Sequence, residues 1–398
     1  MLFEKKNNFC FIDVGSYKTI CLICNISEDS ISYLSSSIVK TRGIKNGRIY
    51  DAREVKSSIL AAVYEAEKSG SVNVDEVVAS VSSNECQSKR VVVRDYLFGR
   101  QVTAEDTRRL VNKSLSEIDS SKFEVIHCFP KRFCLDDLTI VKNPENLFAD
   151  SVEAEICMFY SNISYLVNLA TILAGCHLKP LDFVLDIYAA SITVLPESAN
   201  KSLVIDIGGD LTKYAYFEDG VLNKCGYIPL GGNQVTKDIA SFFSTSYEEA
   251  ERLKTVHGDL LSFSDDKLVS IKQFSDLTNL EPNSIKRSDL NQVIASRLEE
   301  LVEILHKKTQ GIAYSRVYLT GGGTKLPGIS GIFEKMIRKP VEIGNIKFKI
   351  GNPNIEKDLG YATVVGLAKC FFISRRQTKL TVSTSPFVKI FNWLKTNF

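Results

Sequence analysis

The chain has 398 residues, 44% hydrophobic and 24% charged, a globular balance with room for roughly two to four packed units. Forty-nine Lys plus Arg against 47 Asp plus Glu leave a formal charge of +2, which argues against a dedicated nucleic-acid binder with its basic excess. No apolar run reaches the ~18–20 residues of a membrane-spanning helix, and Met1-Leu2-Phe3-Glu4 leads directly into a strand-like run with no leader pattern, so neither integral membrane topology nor secretion is expected.

In chain order, FCFIDVGSYKTICLICNI and ISYLSSSIVK predict two or three antiparallel strands. DAREVKSSILAAVYEAEKSG carries Val55, Ile59, Ala62, Val63 and Ala66 at helical spacing, and VDEVVASVSS returns to strand. Thr103 three residues before Asp106 has the form of a capping box ahead of DTRRLVNKSLSEI. FEVIHCFPKRFCLDDL predicts two strands broken near Pro130, and SVEAEICMFY another, so the stretch from Asn84 to Tyr160 is expected to be a small α+β unit. NISYLVNLATILAGC is a helix with Gly175 as its C-cap. SYEEAERLKTVHG and SDLNQVIASRLEELVEILHKK are helices, RVYLTGGG a strand ending in a glycine turn, and GYATVVGLAKCFF a last buried helix.

The ten cysteines do not cluster and most sit in apolar stretches, as small buried residues in a reducing compartment do. Cys21 and Cys24 form a CxxC, but on a strand that spacing turns the two thiols to opposite faces. His127, His177, His257 and His306 are far apart and suggest neither a zinc site nor a nucleophile–base pair.

FIDVGSYKTICLICNI and LVIDIGGDLTKYAYFEDG share one plan: strand, Asp, glycine turn, a Ser/Thr/Lys cluster, second strand. Their recurrence predicts two similar halves with a cleft between them. Glycine hairpin tips expose backbone N–H groups and admit phosphate where a Cβ would obstruct it. An Asp at the strand end is suited to holding Mg²⁺ through water. Asp13, Gly15, Ser16 and Lys18 from one hairpin and Asp206, Gly208, Gly209 and Thr212 from the other therefore form a candidate clamp on a nucleotide tail. Gly231-Gly232-Asn233 opens a helix whose N-terminus can take phosphate. Glu251 and Lys254 share a helix face towards the sugar or base, and the Thr320-Gly321-Gly322-Gly323-Thr324 turn can lie flat against adenosine. Each element alone also fits an ordinary tight turn; it is their order that is specific.

With these five elements the sequence resembles the actin–Hsp70–sugar kinase superfamily, and within it the FtsA family of bacterial cell-division actin homologues. The strings GGNQVTKDIA, EEAERLKTVHG, VYLTGGGTKLPGI, GYATVVGLA and KTRGIKNGRIYD carry the resemblance, with HCFPKRFCLDDLTIVKNPENLFADSVEAEI for the family's small domain. It implies an α/β, actin-like fold of ribonuclease H-like duplicated lobes, with an inserted small α+β domain and a C-terminal amphipathic helix. Residues 1–83 and 161–197 would form the first lobe, 84–160 the insertion, 198–235 and 312–373 the second lobe, and 236–311 a helical or mixed subdomain. A flexible linker (374–385) and a membrane-targeting helix (386–398) would follow. The resemblance implies ATP and Mg²⁺ as cofactors, with Asp13 and Asp206 holding the ion through water, Glu251 and Lys254 reaching the ribose or base, and Gly322 and Gly323 flanking adenosine. The second turn departs from the commoner GGGT: Asp210 replaces the third Gly and Leu211 the Thr. A carboxylate there repels phosphate unless it faces Mg²⁺ or solvent, which puts hydrolysis in question. Asp186 is the weak catalytic candidate for activating water, weighed against a surface or capping role.

The tail from Ser374 to Phe398 holds Arg375, Arg376, Lys379, Lys389 and Lys395 with no acidic residue, a charge of +5 on a slightly acidic body. On a helical wheel from Pro386, the side chains of Phe387, Ile390, Phe391, Leu394 and Phe398 share one side, with Trp393 at the edge and Lys389 and Lys395 on the other side or its border. Thirteen residues span about 20 Å, too short to cross a bilayer but suited to lying in its surface. Five large apolar side chains give roughly 7–15 kcal/mol gross, and each cation near anionic lipid adds about 1 kcal/mol. Docking on the protein's own core is the alternative.

The resemblance further implies self-association into filaments on the cytoplasmic face of the inner membrane at the division site, binding of the C-terminal peptide of the tubulin-like GTPase FtsZ, and contact of later division proteins with the inserted domain. For the FtsZ peptide, Arg297 with Lys286 and Arg287 are the candidates, weighed against solvated helix charges. A structural adaptor with at most weak ATPase activity is the leading expectation. An actin-like scaffold of type IV pilus assembly and a catalytic ATPase or sugar kinase of the same superfamily are the alternatives.

Overall fold

The computed structural model describes residues 7–82, 84–262, 266–272 and 283–378; the expected membrane helix at 386–398 lies outside them. The chain starts with β1 (Asn8–Val14), β2 (Lys18–Ile26) and β3 (Ile31–Lys40), an antiparallel meander. A two-strand hairpin, β4 (Ile44–Lys45) and β5 (Arg48–Ile49), follows. Its tip, Asn46-Gly47, has φ of 50° and 72°, the left-handed pair that a two-residue hairpin turn requires. Helix α1 (Ala52–Gly70) is N-capped by Asp51 and buries the expected stripe of Val55, Ile59, Ala62, Val63 and Ala66, each large aliphatic member contributing roughly 1.5–3 kcal/mol. Strand β6 (Glu76–Val81) then runs parallel to β1.

The chain leaves the lobe through β7 (Gln87–Gln101), α2 (Ala104–Leu115), β8 (Phe123–Leu135), β9 (Thr139–Val141) and β10 (Phe148–Asn162). The four strands form an antiparallel sheet in the order β7-β10-β8-β9, with its own core around Leu110, Phe133, Ile156 and Met158. The Thr103–Asp106 capping box is present. Pro130 does not break the hairpin as expected: β8 is one strand, and the register shifts where Ile156 pairs with Pro130. A residue that cannot donate to the ladder is accommodated at such an irregularity.

The first lobe is completed by α3 (Ile163–Gly175), β11 (Lys179–Leu185) and α4 (Asp186–Val194). Gly175 ends α3 within the helix; the C-cap is Cys176, and the left-handed residue is His177 at φ 60°. The second lobe repeats the plan with β12 (Ser202–Ile207), β13 (Thr212–Glu218) and β14 (Val221–Ile228) as an antiparallel meander. Then come α5 (Gly232–Phe242), α6 (Tyr247–Arg252), β15 (Leu268–Ile271), β16 (Asn283–Lys286) and α7 (Arg287–Lys308). Strands β17 (Arg316–Thr320) and β18 (Val341–Ile343) bracket α8 (Ile329–Ile337), before α9 (Pro353–Lys357) and α10 (Ala362–Thr378).

The sheet orders β11-β6-β1-β2-β3 and β14-β13-β12-β17-β18 are the same arrangement read from opposite ends. Strand β1 corresponds to β12, β2 to β13 and β6 to β17, so the sequence repeat is a structural duplication. Helices α4 and α10 pack against each other so closely that a Cβ on Gly366 would lie 1.9 Å from the Ala189 carbonyl oxygen. Helix α10 also runs through Thr378, into the stretch expected to be linker. The Arg375 guanidinium lies 4.8 Å from the Phe9 ring centre and that of Arg376 5.5 Å from Phe372, cation–π contacts that give this turn of helix a surface to hold. Among the described residues no helix is long and apolar enough to cross a membrane.

Candidate functional site

The two lobes enclose a cavity of about 470 Å³, within the size range of small-molecule sites. Each of its hairpins closes the same way: the Gly15 N–H donates to the Lys18 carbonyl at 3.1 Å, and the Gly208 N–H to the Leu211 carbonyl at 3.0 Å. Asp13 and Asp206 occupy the penultimate positions of β1 and β12, so the duplication alone brings both carboxylates to the cavity. Gly15, Ser16, Lys18, Gly208, Gly209, Gly231, Gly232, Asn233, Glu251, Lys254, Gly322 and Gly323 all line it with them.

Thr212 does not. It is fully buried, and the cavity receives its neighbour Lys213 instead. Successive strand residues face opposite ways, and the expectation was off by one position. Gly231, Gly232 and Asn233 line the wall, but their N–H groups are already engaged, donating to Gln234 Oε1 and to the Gly208 and Gly209 carbonyls. This helix start therefore buttresses the second hairpin, and its N–H groups are not free for phosphate. A Cβ at Gly231 would lie 2.5 Å from the Gly209 oxygen, and one at Gly321, where φ is +87°, 2.0 Å from Asp206 Oδ1. By contrast, a Cβ at Gly322 meets nothing within 4 Å; that backbone borders open space.

Glu251 and Lys254 flank the point where α6 widens into a π-turn at Leu253–His257, a local irregularity common at functional sites. Lys254 Nζ donates to Glu251 Oε2 (2.6 Å), Thr236 Oγ1 (2.6 Å) and the Gly232 carbonyl (3.0 Å). Burial lowers its pKa despite the Glu251 partner. Lys18 donates to the Gly360 carbonyl at 3.1 Å, and burial lowers its pKa against the pull of Asp358 and Asp13.

Asp210 turns out of the cavity. Its Oδ1 accepts from Asn233 Nδ2 at 2.8 Å and its Oδ2 from the Asn46 N–H at 3.0 Å, while its own N–H donates to Ser16 Oγ at 3.0 Å. The residue whose carboxylate was expected to disturb phosphate instead ties the second hairpin to two hairpins of the first lobe, through its carboxylate to Asn46 and through its backbone N–H to Ser16. Leu211 seats against the Asn46-Gly47 tip, where a Cβ on Gly47 would lie 2.6 Å from Leu211 Cδ1.

Asp186 is not a poised base. It is fully buried at the start of α4, does not line the cavity, accepts from the Tyr227 hydroxyl at 3.1 Å, and has Lys213 Nζ 2.5 Å from its Oδ2. Nor do the residues fit the expected Mg²⁺. Lys213 Nζ lies 3.3 Å from Asp206 Oδ2, and Asp13 Oδ1 accepts from Ser80 Oγ at 2.6 Å. An ammonium thus stands among the carboxylates that were to hold a hydrated cation, and among the described residues no cluster of three His, Cys, Asp or Glu is arranged to hold a metal. Burial pushes the Lys213 pKa down, but Asp186, Asp206 and Asp13 outweigh it and hold the group firmly protonated. Burial likewise raises Asp13. Sequence reading missed Lys213 because a lysine in a strand is ordinarily solvated; its register opposite Asp206 was the available signal.

The three cations expected to meet a partner peptide are engaged within the chain. Arg297 forks onto Asp238 and contacts Glu300, Lys286 pairs with Asp266 at 3.3 Å, and Arg287 with Asp259 at 3.1 Å.

The family model described as "Cell division protein FtsA" matches residues 203–366, and "SHS2 domain inserted in FTSA" matches residues 79–160. The cell division protein FtsA of Rhizobium meliloti (strain 1021) is 27% identical over 97% of this chain and 94% of its own length. That of Escherichia coli (strain K12) is 24% identical over 97% of both. Among solved structures, a type IV pilus biogenesis PilM–PilN complex superposes with a TM-score of 0.64 at 15% identity, covering 92% of this chain and 98% of that one. MreB5 of Spiroplasma citri bound to ADP gives 0.58 at 12%, covering 94% and 99%. At these identities the two structures speak to fold alone, and that fold is actin-like α/β, with two mixed sheets and an inserted SHS2 domain.

Proposed function

The chain belongs to the FtsA family of cell-division proteins, and from that premise we propose that it is a nucleotide-binding adaptor, with ATP or ADP held between its lobes. The observation that carries the reading is the pair of equivalent glycine hairpins meeting at one cavity, each with an Asp at the end of its first strand. Backbone of this kind cradles phosphate, and the open face of Gly322 gives a flat surface for a base.

Binding rather than turnover is the role of this site. Asp186 is held by Lys213 and Tyr227, and no histidine lines the cavity among the described residues. A sugar kinase needs a free carboxylate base facing a sugar pocket, which the paired Asp186 does not supply. The adaptor role joins this cleft to residues 386–398, read as a membrane anchor from their apolar side and cationic border. Filament formation would let many weak anchors act together. The α7 region remains the proposed dock for the FtsZ peptide, whose acidic groups would compete with Asp238 and Glu300 for Arg297. The inserted domain is proposed to meet later division proteins; it exposes Phe98, Leu138 and Phe148.

Calorimetric titration of the full chain with ADP tests the cleft. Gly322→Val projects into open space, so the variant should fold as the parent does while losing nucleotide binding. Unchanged ADP affinity in that variant, or no binding by the parent, would overturn the assignment. Sedimentation with anionic vesicles, with and without residues 386–398, tests the anchor; equal sedimentation would remove it.

A further inference from the structure

The two lobes differ at one telling position. In the register of β1 with β2, Asp13 faces Ile20; in the register of β12 with β13, Asp206 faces Lys213. The duplication thus places an aliphatic side chain in one half and an ammonium in the other, at equivalent points beside the two site carboxylates. Lys213 lines the cavity yet is 7% exposed, and its Nζ lies 2.5 Å from Asp186 Oδ2 and 3.3 Å from Asp206 Oδ2. A buried charge without partners is very costly, and here two carboxylates hold the ammonium in contact, with Asp13 as a further charge acting on it. A hydrated divalent ion needs carboxylate oxygens free to accept from its water shell. Asp206 Oδ2 accepts from the ammonium and Asp13 Oδ1 from Ser80, which engages one oxygen of each, and the fixed positive charge weakens the pull of the two carboxylates on a second cation.

We propose that the cleft recognises its nucleoside di- or triphosphate free of divalent metal, with the Lys213 ammonium as the built-in counter-charge among Asp13, Asp186 and Asp206. Three further lysines line the cavity, Lys18, Lys254 and Lys325; Lys254 is paired with Glu251 and Lys325 with Asp358, and Lys18, on the first hairpin, is the cation left to meet a polyphosphate whose charge no metal neutralises. The inference rests on the nucleotide-cleft reading and specifies the form in which the ligand binds.

Calorimetric titration of the full chain with ADP and ATP, in excess EDTA and in millimolar MgCl₂, tests it without any variant. The expected result is an ATP affinity about tenfold or more lower in MgCl₂ than in EDTA, because magnesium converts most of the nucleotide into the complex the cleft does not take. An affinity equal in the two buffers, or higher in MgCl₂, overturns this inference and leaves the cleft assignment standing, whereas no binding in either buffer overturns both. Lys213→Asp, checked for folding by circular dichroism, should confer magnesium dependence. Its ADP complex should also bind Mn²⁺, read by paramagnetic relaxation of water protons, where the parent complex shows no enhancement beyond that of Mn²⁺–ADP alone. Equal enhancement in the parent complex counts against the proposal.

Discussion

Removing the Asp210 carboxylate should loosen the closure of the two lobes. Its oxygens receive the Asn46 N–H at 3.0 Å from the first lobe and Asn233 Nδ2 at 2.8 Å from the second, and Asp210 is 6% exposed. Hydrogen bonds to a charged group contribute roughly 1.5–3 kcal/mol each. Only the Asn46 bond crosses between lobes directly, while the Asn233 bond fixes the carboxylate that makes it. Water replaces part of the loss on opening, so about 2–3 kcal/mol for Asp210→Ala is the working figure. At 1.4 kcal/mol per factor of ten, that corresponds to roughly 30- to 140-fold faster amide exchange. The assay is hydrogen–deuterium exchange across 44–49 and 208–212, the two sides of the contact, with α2 and its sheet as an internal reference. Asp210→Gly should match Asp210→Ala, and Asp210→Asn, which keeps an acceptor, should fall between alanine and the parent. If 208–212 exchanges within twofold of the parent in the alanine variant, the clasp contributes nothing to closure and the reasoning is wrong.

Two further outcomes follow from the same geometry. His127 Nε2 accepts the Leu185 N–H at 3.1 Å, and burial beside Phe129 and Tyr188 lowers its pKa from 6.5 to about 3. The unfolded chain therefore binds the extra proton first as pH falls below 6.5, so stability drops between pH 6.5 and 3, by about 2 kcal/mol at pH 5. His127→Gln keeps an acceptor without titrating, and its urea midpoint should fall less than the parent's between pH 7.5 and 5; parallel falls would remove His127 as the cause. Gly321→Ala places a Cβ against Asp206 at a positive φ and should cost about 3 kcal/mol, against less than about 0.5 kcal/mol for Gly322→Ala. Equal urea midpoints for the two variants would contradict the placement of Gly321.

The local elements were legible because each is written in contiguous residues. Helix α1 has its Asp51 cap and its apolar stripe in one stretch, Thr103 and Asp106 spell their own capping box, and the two Asp–Gly hairpins announce the duplication by repeating it. Periodicity and turn chemistry act over a few residues, so a sequence displays them directly. Pro130 shows the limit even there: whether a proline ends a strand or sits in a bulge depends on the neighbouring strand, and β10 supplies the register shift that admits it.

What the sequence determined by itself was the set of groups that would gather: two carboxylates, the glycine turns, Glu251 and Lys254. Only the tertiary structure decided what those groups do. Asp210 meets Asn46, 164 positions away, and becomes a clasp. Arg297 finds Asp238 across two helices, while Thr212 turns inward and leaves the cavity to Lys213. The physical reason is that a charge or a hydrogen-bonding group takes its meaning from its nearest partners and their burial, and in a duplicated fold those partners come from the other lobe.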